Sequence, residues 1–278
     1  MKAKVVRTLA IAAALCLTMA PMANAVAVLP DTITVTDNQL KASVQVSNTI
    51  AVDLTVSFEK VIGLNANTLS VSAELLSPLD SAITDRLGSA LIAPAAAFPV
   101  IVSLTPDPGS GFAFEGMATV ELYTKAIHYT PDLPLRLFTS HADGTFEDIT
   151  TLVSAGSIRA RGNTGKFSDF MILLDTRTPA TIVADKAAAL DAFVNAQSHS
   201  ISAPLLSTVE SLLSSLSLAV SSQDYDTALD ETDALITVIE NSDKGAMPDV
   251  WQASDSLTNV KGDLLSSLTS LRYALRVM

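Results

Sequence analysis

From Ala27 to about Leu174, apolar and polar residues alternate or gather in short β-branched runs. Nine segments read as strands: TITVT, KASVQVS, AVDLTVSFEK, TLSVSAELL, FPVIVSL, MATVELYT, LPLRLFT, GSIRARG and FSDFMILL. In AVDLTVSFEK, Val52, Leu54, Val56 and Phe58 fall on one face, and Asp53, Thr55, Ser57 and Glu59 on the other. That is the pattern of a sheet with one buried side. Turn punctuation in TPDPGSG, TPDLP, ADG and RGNTGK separates the runs. Strands without long intervening helices predict a β-sandwich. The stretch PLDSAITDRLGSAL, Pro78 to Leu91, breaks the alternation and reads as a short helix or loop excursion with Gly88 as its stop.

After DTRTPAT the period becomes helical. One helix is expected from about Ala180 to Ala196, with Ile182, Val183, Ala187, Leu190, Phe193 and Val194 on its stripe. A second begins near Ala203 and a third near Asp224. The last begins near Pro248 or Asp249, with Leu257, Val260, Leu264, Leu268, Leu271 and Leu275 inward. Serine crowds the polar faces and is a mediocre helix former, so these helices depend on packing. The expected fold class is α+β: an N-terminal antiparallel β-sandwich over 26–176, then a C-terminal bundle of three to four antiparallel helices over 180–278.

The N-terminus changes the compartment. Lys2, Lys4 and Arg7 precede an apolar stretch from Leu9 to Ala20, and Ala23-Asn24-Ala25 follows as a small-x-small signal. This is the three-part pattern of a secretory signal peptide over residues 1–25, cleaved after Ala25. Cys16 sits in the apolar stretch, but Leu15 before it is larger than a lipoprotein signal requires. Cleavage removes the one cysteine, so the mature chain relies on a hydrophobic core without disulfides. No later segment reads as long and apolar enough to span a bilayer. The expected localisation is periplasmic or extracellular.

Cleavage also leaves 14 basic residues against 29 acidic ones, a formal charge of −15. That argues against nucleic acid and against anionic lipid, whose recognition needs clustered cations.

The densest candidate chemistry is TSHADGTFEDIT, Thr139 to Thr150, which holds His141, Asp143, Glu147 and Asp148. Asp-Gly between two strand patterns predicts a hairpin in which Gly144 takes the positive φ. A metal site would need more converging ligands than His128, His141 and His199 offer. A triad drawn from Ser168, His141 and Asp143 or Asp169 lacks the strand–turn–helix elbow of hydrolases. Ser57 to Lys60, SFEK, matches a nucleophile motif but lies in a strand pattern. Asp224 to Asp233 carries five acids and reads as a capped helix start, with Asp224 as N-cap. Trp251 reads as a packing residue.

SIRARGNTGKF is the one concentrated basic patch, with Arg159 and Arg161 on one strand face and Lys166 across a turn. Either these cations pair with nearby carboxylates such as Glu147 or Asp148, or they anchor an acidic glycan or acidic protein segment.

The stretch from about Phe112 to Leu174, with its L-R-L-F, D-G-x-F and K-F-S-D-F elements, resembles the ZU5-type β-sandwich modules of bacterial surface and secreted proteins. Phe146 stands where that pattern has Trp. The last 80 or so residues, through LLSTVESLLSSLSLAVSSQDYDTALDETDALITVIENSDKG, resemble the FIMAH-type helical module of bacterial exported proteins. The resemblances imply a surface or envelope interaction protein and carry over no catalytic residue. The function expected is therefore non-enzymatic: an exported binding or structural protein, without a cofactor, whose partner is an envelope or extracellular protein. Two alternatives remain open, a carbohydrate-binding protein using the face with Arg159 and Arg161, and an unrecognised hydrolase.

Overall fold

The computed structural model describes residues 26–130, 133–154, 156–253 and 257–278; the segment expected to be a signal peptide, residues 1–25 with cleavage after Ala25, lies outside the described residues. Two antiparallel sheets face one another, their strands numbered along the chain. The first runs β1 (Thr32–Thr36), β2 (Gln39–Gln45), β3 (Ala51–Ile62), β7 (Ala113–Tyr129), β11 (Gly156–Thr164) and β10 (Thr150–Ser154), and β13 (Val250–Gln252) adds to β7. The second runs β4 (Leu69–Leu75), β6 (Val100–Pro106), β12 (Asp169–Asp175), β8 (Leu135–Ser140) and β9 (Glu147–Asp148), with β5 (Ile92–Pro94) on β12. The protein is thus an α+β sandwich followed by helices, as the hydrophobic pattern predicts. All nine predicted strands form; β5, β9, β10 and β13 are short additions.

Alternation builds the core. Val52, Leu54 and Val56 of β3 and Ala118, Val120 and Leu122 of β7 are buried against Val71, Val102, Phe170 and Ile172 of the opposing sheet. The back of the second sheet is also covered. There Phe138, Met171 and Leu173 pack on Ile83, Ile92 and Phe146. Ile83 belongs to α1 (Ser81–Thr84), which starts at an Asp80 cap and ends four residues short of the expected stop at Gly88.

Four longer helices follow: α2 (Pro179–Gln197), α3 (Ala203–Ser221), α4 (Tyr225–Glu240) and α5 (Val260–Arg276). Asp224 caps α4 by accepting from the Thr227 amide at 3.2 Å. Against expectation, α3 is long and apolar enough, by length and composition, to cross a membrane. Its polarity is less than its serine content suggests. Thr208, Ser214 and Ser215 turn their hydroxyls back onto carbonyls four residues earlier. Val209, Leu213, Leu216 and Ala219 of this helix are buried in the bundle.

The last helix departs from the sequence reading. It starts at Val260, and the residues before it form β13, which pairs Trp251 with Phe114 of β7. Trp251 stacks on Phe114 at 5.5 Å and meets Phe167 edge-on at 5.7 Å. The reason is packing: as a strand residue Trp251 packs on the buried rings of Phe112, Phe114 and Phe167, which a helical start at Pro248 would not reach.

From there α5 lies on the outer face of the first sheet. Buried Asn259 caps it, accepting from Gly262 N at 2.9 Å while its amide donates to the carbonyls of Gly116 (2.7 Å) and Gly165 (3.2 Å). Gly116 sits at φ +73°, where side chains are strained. A Cβ on Gly262 would overlap Asn259 and the Gly116 carbonyl. Gly262→Ala, which in an open helix would stabilise by up to about 1 kcal/mol, is therefore expected to lower the urea midpoint of unfolding.

Candidate functional site

The hairpin of TSHADGTFEDIT forms, but not as its Asp-Gly suggests. Ala142 (φ 48°) and Asp143 (φ 58°) take the left-handed positions, and Gly144 N closes the turn on His141 O at 2.9 Å. The side chains then diverge. Asp143 is 92 % exposed and stands 3.9 Å from Arg86. His141 Nδ1 is bonded to the Phe167 carbonyl at 2.8 Å. Ser168 Oγ accepts from Ala142 N at 3.4 Å, and Asp169 is held by Arg86 at 2.8 Å and Ser103 at 2.6 Å. Each of these four residues is therefore engaged by a group outside the triad, and Arg86 serves both aspartates. Of the SFEK segment, Ser57 accepts from Gln39 and Lys60 pairs with Glu115. Among the described residues no group of three or more His, Cys, Asp or Glu is placed to hold a metal ion.

Asp148 turns inward and becomes the centre of a buried ion network. Arg136 and Lys186 each reach its carboxylate at 3.1 Å. Thr150 donates to it from N at 2.9 Å and from Oγ1 at 2.6 Å. Lys186 comes from α2 and also donates to the Asp148 carbonyl (2.6 Å) and to Ser270 of α5 (2.7 Å). Burial by itself would lift the Asp148 carboxyl, but Lys186, Arg136 and Thr150 hold it below the usual carboxylate range. Burial depresses the Lys186 ammonium against the pull of Asp148. Two cations and two hydrogen bonds on Asp148 decide for the ionised pair.

Beside this network lies a cleft of about 290 Å³ between the hairpin, α2 and α5, with Phe146, Phe193, Glu147, Lys166 and Asp263 among its walls. Lys166 stands 3.9 Å from Asp263, outside hydrogen-bond reach. Burial pushes the Asp263 carboxyl up, Glu147 adds to this, and Lys166 and His141 oppose it. Lys166 thus lines this cleft and faces Asp263, while Arg159 and Arg161, its neighbours in the basic stretch of sequence, do not line it.

Arg159 and Arg161 lie together on the outer face of the first sheet, beyond the end covered by α5. Their carboxylate partner is Glu121 on β7, not Glu147 or Asp148. Arg159 Nη1 donates to Glu121 at 2.7 Å; Arg161 donates through Nε (3.0 Å) and Nη2 (2.7 Å). The arginine side chains remain 46 % and 44 % exposed. Register sets their neighbours in rows across the strands. Ser43, Asp53, Tyr123 and Arg159 form one row; Lys41, Thr55, Glu121 and Arg161 form the next. The row beyond is closed, because Asn163 bonds Thr119 at 3.0 Å and Thr269 of α5 at 3.2 Å. The sequence shows Arg159 and Arg161 sharing a face but gives no sign of Glu121 or Tyr123, which lie some 38 positions away and join only through the β7–β11 register.

A β-sandwich with a helical unit docked on one end of its outer face, and a polar field left open on the other, defines a two-part α+β scaffold. The chain belongs to a family of unknown function, DUF6689, whose profile matches residues 13–278. No curated protein and no solved structure matches it.

Two stability outcomes follow from the buried charges. Lys186→Met removes the main counter-charge of a sealed carboxylate and is expected to cost about 3–5 kcal/mol in denaturant unfolding; adding Asp148→Asn should recover part of that loss. Asp263→Asn should have the opposite sign. A carboxyl raised in the folded state destabilises increasingly as pH climbs through the interval between its unfolded and folded values, with the full penalty present above it. Asp263→Asn should therefore raise the melting temperature at pH 7, with the gain fading below about pH 4.

Proposed function

We propose that this is an exported, non-enzymatic binding protein of the bacterial envelope or extracellular space that works through contacts with another protein. The observation that carries the reading is the free edge of β1. This strand, Thr32–Thr36, is uncharged and β-branched throughout, and among the described residues only β2 pairs with it. Its two-residue turn closes on Thr36 and Gln39, so alternation directs the backbone N–H and C=O groups of Ile33 and Val35 away from β2. Such an edge is a ready template for an added strand. The other edges differ: β4 is bridged by Val28, β9 has two residues, and β10 is irregular and packed by α5.

Asp31 and Asp37 bracket the edge. In a symmetric antiparallel pairing of two copies about Thr34 they would face one another, and like charges directly opposite are destabilising. A partner strand with basic flanks fits better. The signal pattern at the N-terminus supports export, and the likeness of Phe112–Leu174 to ZU5-type modules and of the last helices to FIMAH-type modules supports a surface role. Of the hairpin acids, Asp148 is committed to a buried ion network and Asp143 stands beside Arg86, which favours a non-catalytic reading.

The test uses the mature chain from Val26 as bait for envelope and culture-supernatant proteins, beside an Ile33→Pro variant. Proline removes an N–H that faces the free edge and leaves the β1–β2 ladder intact. A specific partner retained by the natural chain and by Ile33→Val, but lost with Ile33→Pro at unchanged melting temperature, is the expected result. Equal capture by Ile33→Pro would move the contact off this edge.

A further inference from the structure

We infer that the open rows of the first sheet bind an acidic glycan, with Arg159 and Arg161 taking its carboxylates and the Tyr123–Asp53 groove taking its hydroxyls. This goes beyond strand addition and uses a different surface, so either reading can fail without the other.

Glu121 receives three donors from the two guanidinium groups. Arg159 keeps Nε and Nη2, and Arg161 keeps Nη1, without a partner among the described residues. Two guanidiniums sharing one carboxylate leave a net positive charge at this spot, on a chain that is strongly acidic elsewhere. Arg159 also lies 5.2 Å above the Tyr123 ring, which holds the guanidinium plane over the face. A planar, pre-positioned fork is the arrangement that suits a carboxylate, and it loses little entropy on binding one.

Directly along the same row is a groove of about 370 Å³, lined by Ser43, Gln45, Asn48, Asp53, Tyr123 and Lys125. Its polar groups are hydroxyl, amide, carboxylate and ammonium, the mixture that exchanges hydrogen bonds with sugar hydroxyls. Ser43 donates to Asp53 Oδ1 at 2.6 Å, which leaves Oδ2 to accept from a ligand hydroxyl. From Ser43 to Arg159 the row crosses three strand spacings, roughly 14 Å. That is room for an extended oligomer, not a single ion. An acidic peptide fits less well: it brings no hydroxyls for Asp53 and Asn48 to bond, and the groove offers no apolar pocket for its side chains.

The experiment titrates the mature chain with a hexuronic-acid oligomer (oligogalacturonate), a neutral cello-oligosaccharide and poly-glutamate, by calorimetry and amide NMR. Saturable binding of the uronate alone, with shifts at Ser43, Asp53, Tyr123 and Arg159, is expected. Arg159→Gln should weaken it at least tenfold, and Arg159→Lys should restore only part, because lysine keeps the charge without the fork. Both substitutions are on the surface, and thermal melting checks that they fold. No binding at millimolar uronate overturns the proposal. Equal binding of poly-glutamate overturns it in favour of an acidic protein segment. Uronate binding that Arg159→Gln leaves unchanged overturns it as diffuse charge attraction. Loss of partner capture in Ile33→Pro with glycan binding intact would show that the two surfaces act separately.

Discussion

The close approach of α5 to the corner of β7 and β11 is the constraint on which the remaining arrangement depends. Backbone meets backbone there because Gly165 and Gly262 present no Cβ, and the Asn259 amide ties the helix start to two carbonyls of the sandwich. A helix seated at that distance brings its preceding residues alongside β7, so Trp251 enters the aromatic cluster as part of a strand. The same seating carries Ser270 to the Asp148 carbonyl and brings α2 close enough for Lys186 to seal the network. The helical half and the sandwich therefore share both an aromatic core element and a buried charge cluster.

That seating also divides the outer face of the first sheet. Where α5 lies, Met117 and Asn163 are packed and bonded. One row further along the strands Arg161, and two rows further Arg159, Tyr123 and Asp53, stay open to water. Charges on the two sides of this boundary behave differently. Asp148, Arg136 and Lys186 are removed from solvent, so their attraction is barely screened and the loss of one partner is costly. Arg159 and Arg161 keep water around their free donors, so their pairing with Glu121 contributes little to stability and leaves them available.

Much of this was legible beforehand. Alternation in AVDLTVSFEK and its companions specifies which side chains face the core, since the strand period is two residues and any slip would expose the apolar set. The Leu and Val stripes of α2, α3 and α4 place those helices within a residue or two. The pairing of Arg159 with Arg161 is likewise a local fact. Less was legible where length or distance intervened. Val250–Gln252 is too short to show a period of its own, so it reads as part of the helix after it. The left-handed turn at Ala142 and Asp143 is set by the twist of the strands it joins, not by glycine preference at Gly144.

By itself, then, the sequence determined the two hydrophobic periods, the acid excess and the local capping chemistry, because each depends on composition or on residues within a few positions of one another. The tertiary structure alone decided that Asp148 is buried and Asp143 exposed, that Lys166 faces Asp263 instead of joining the arginines, and that Glu121 and Tyr123 complete the open face. Those outcomes depend on strand register and on the depth at which α5 docks, and both are settled by packing between segments as much as a hundred positions apart.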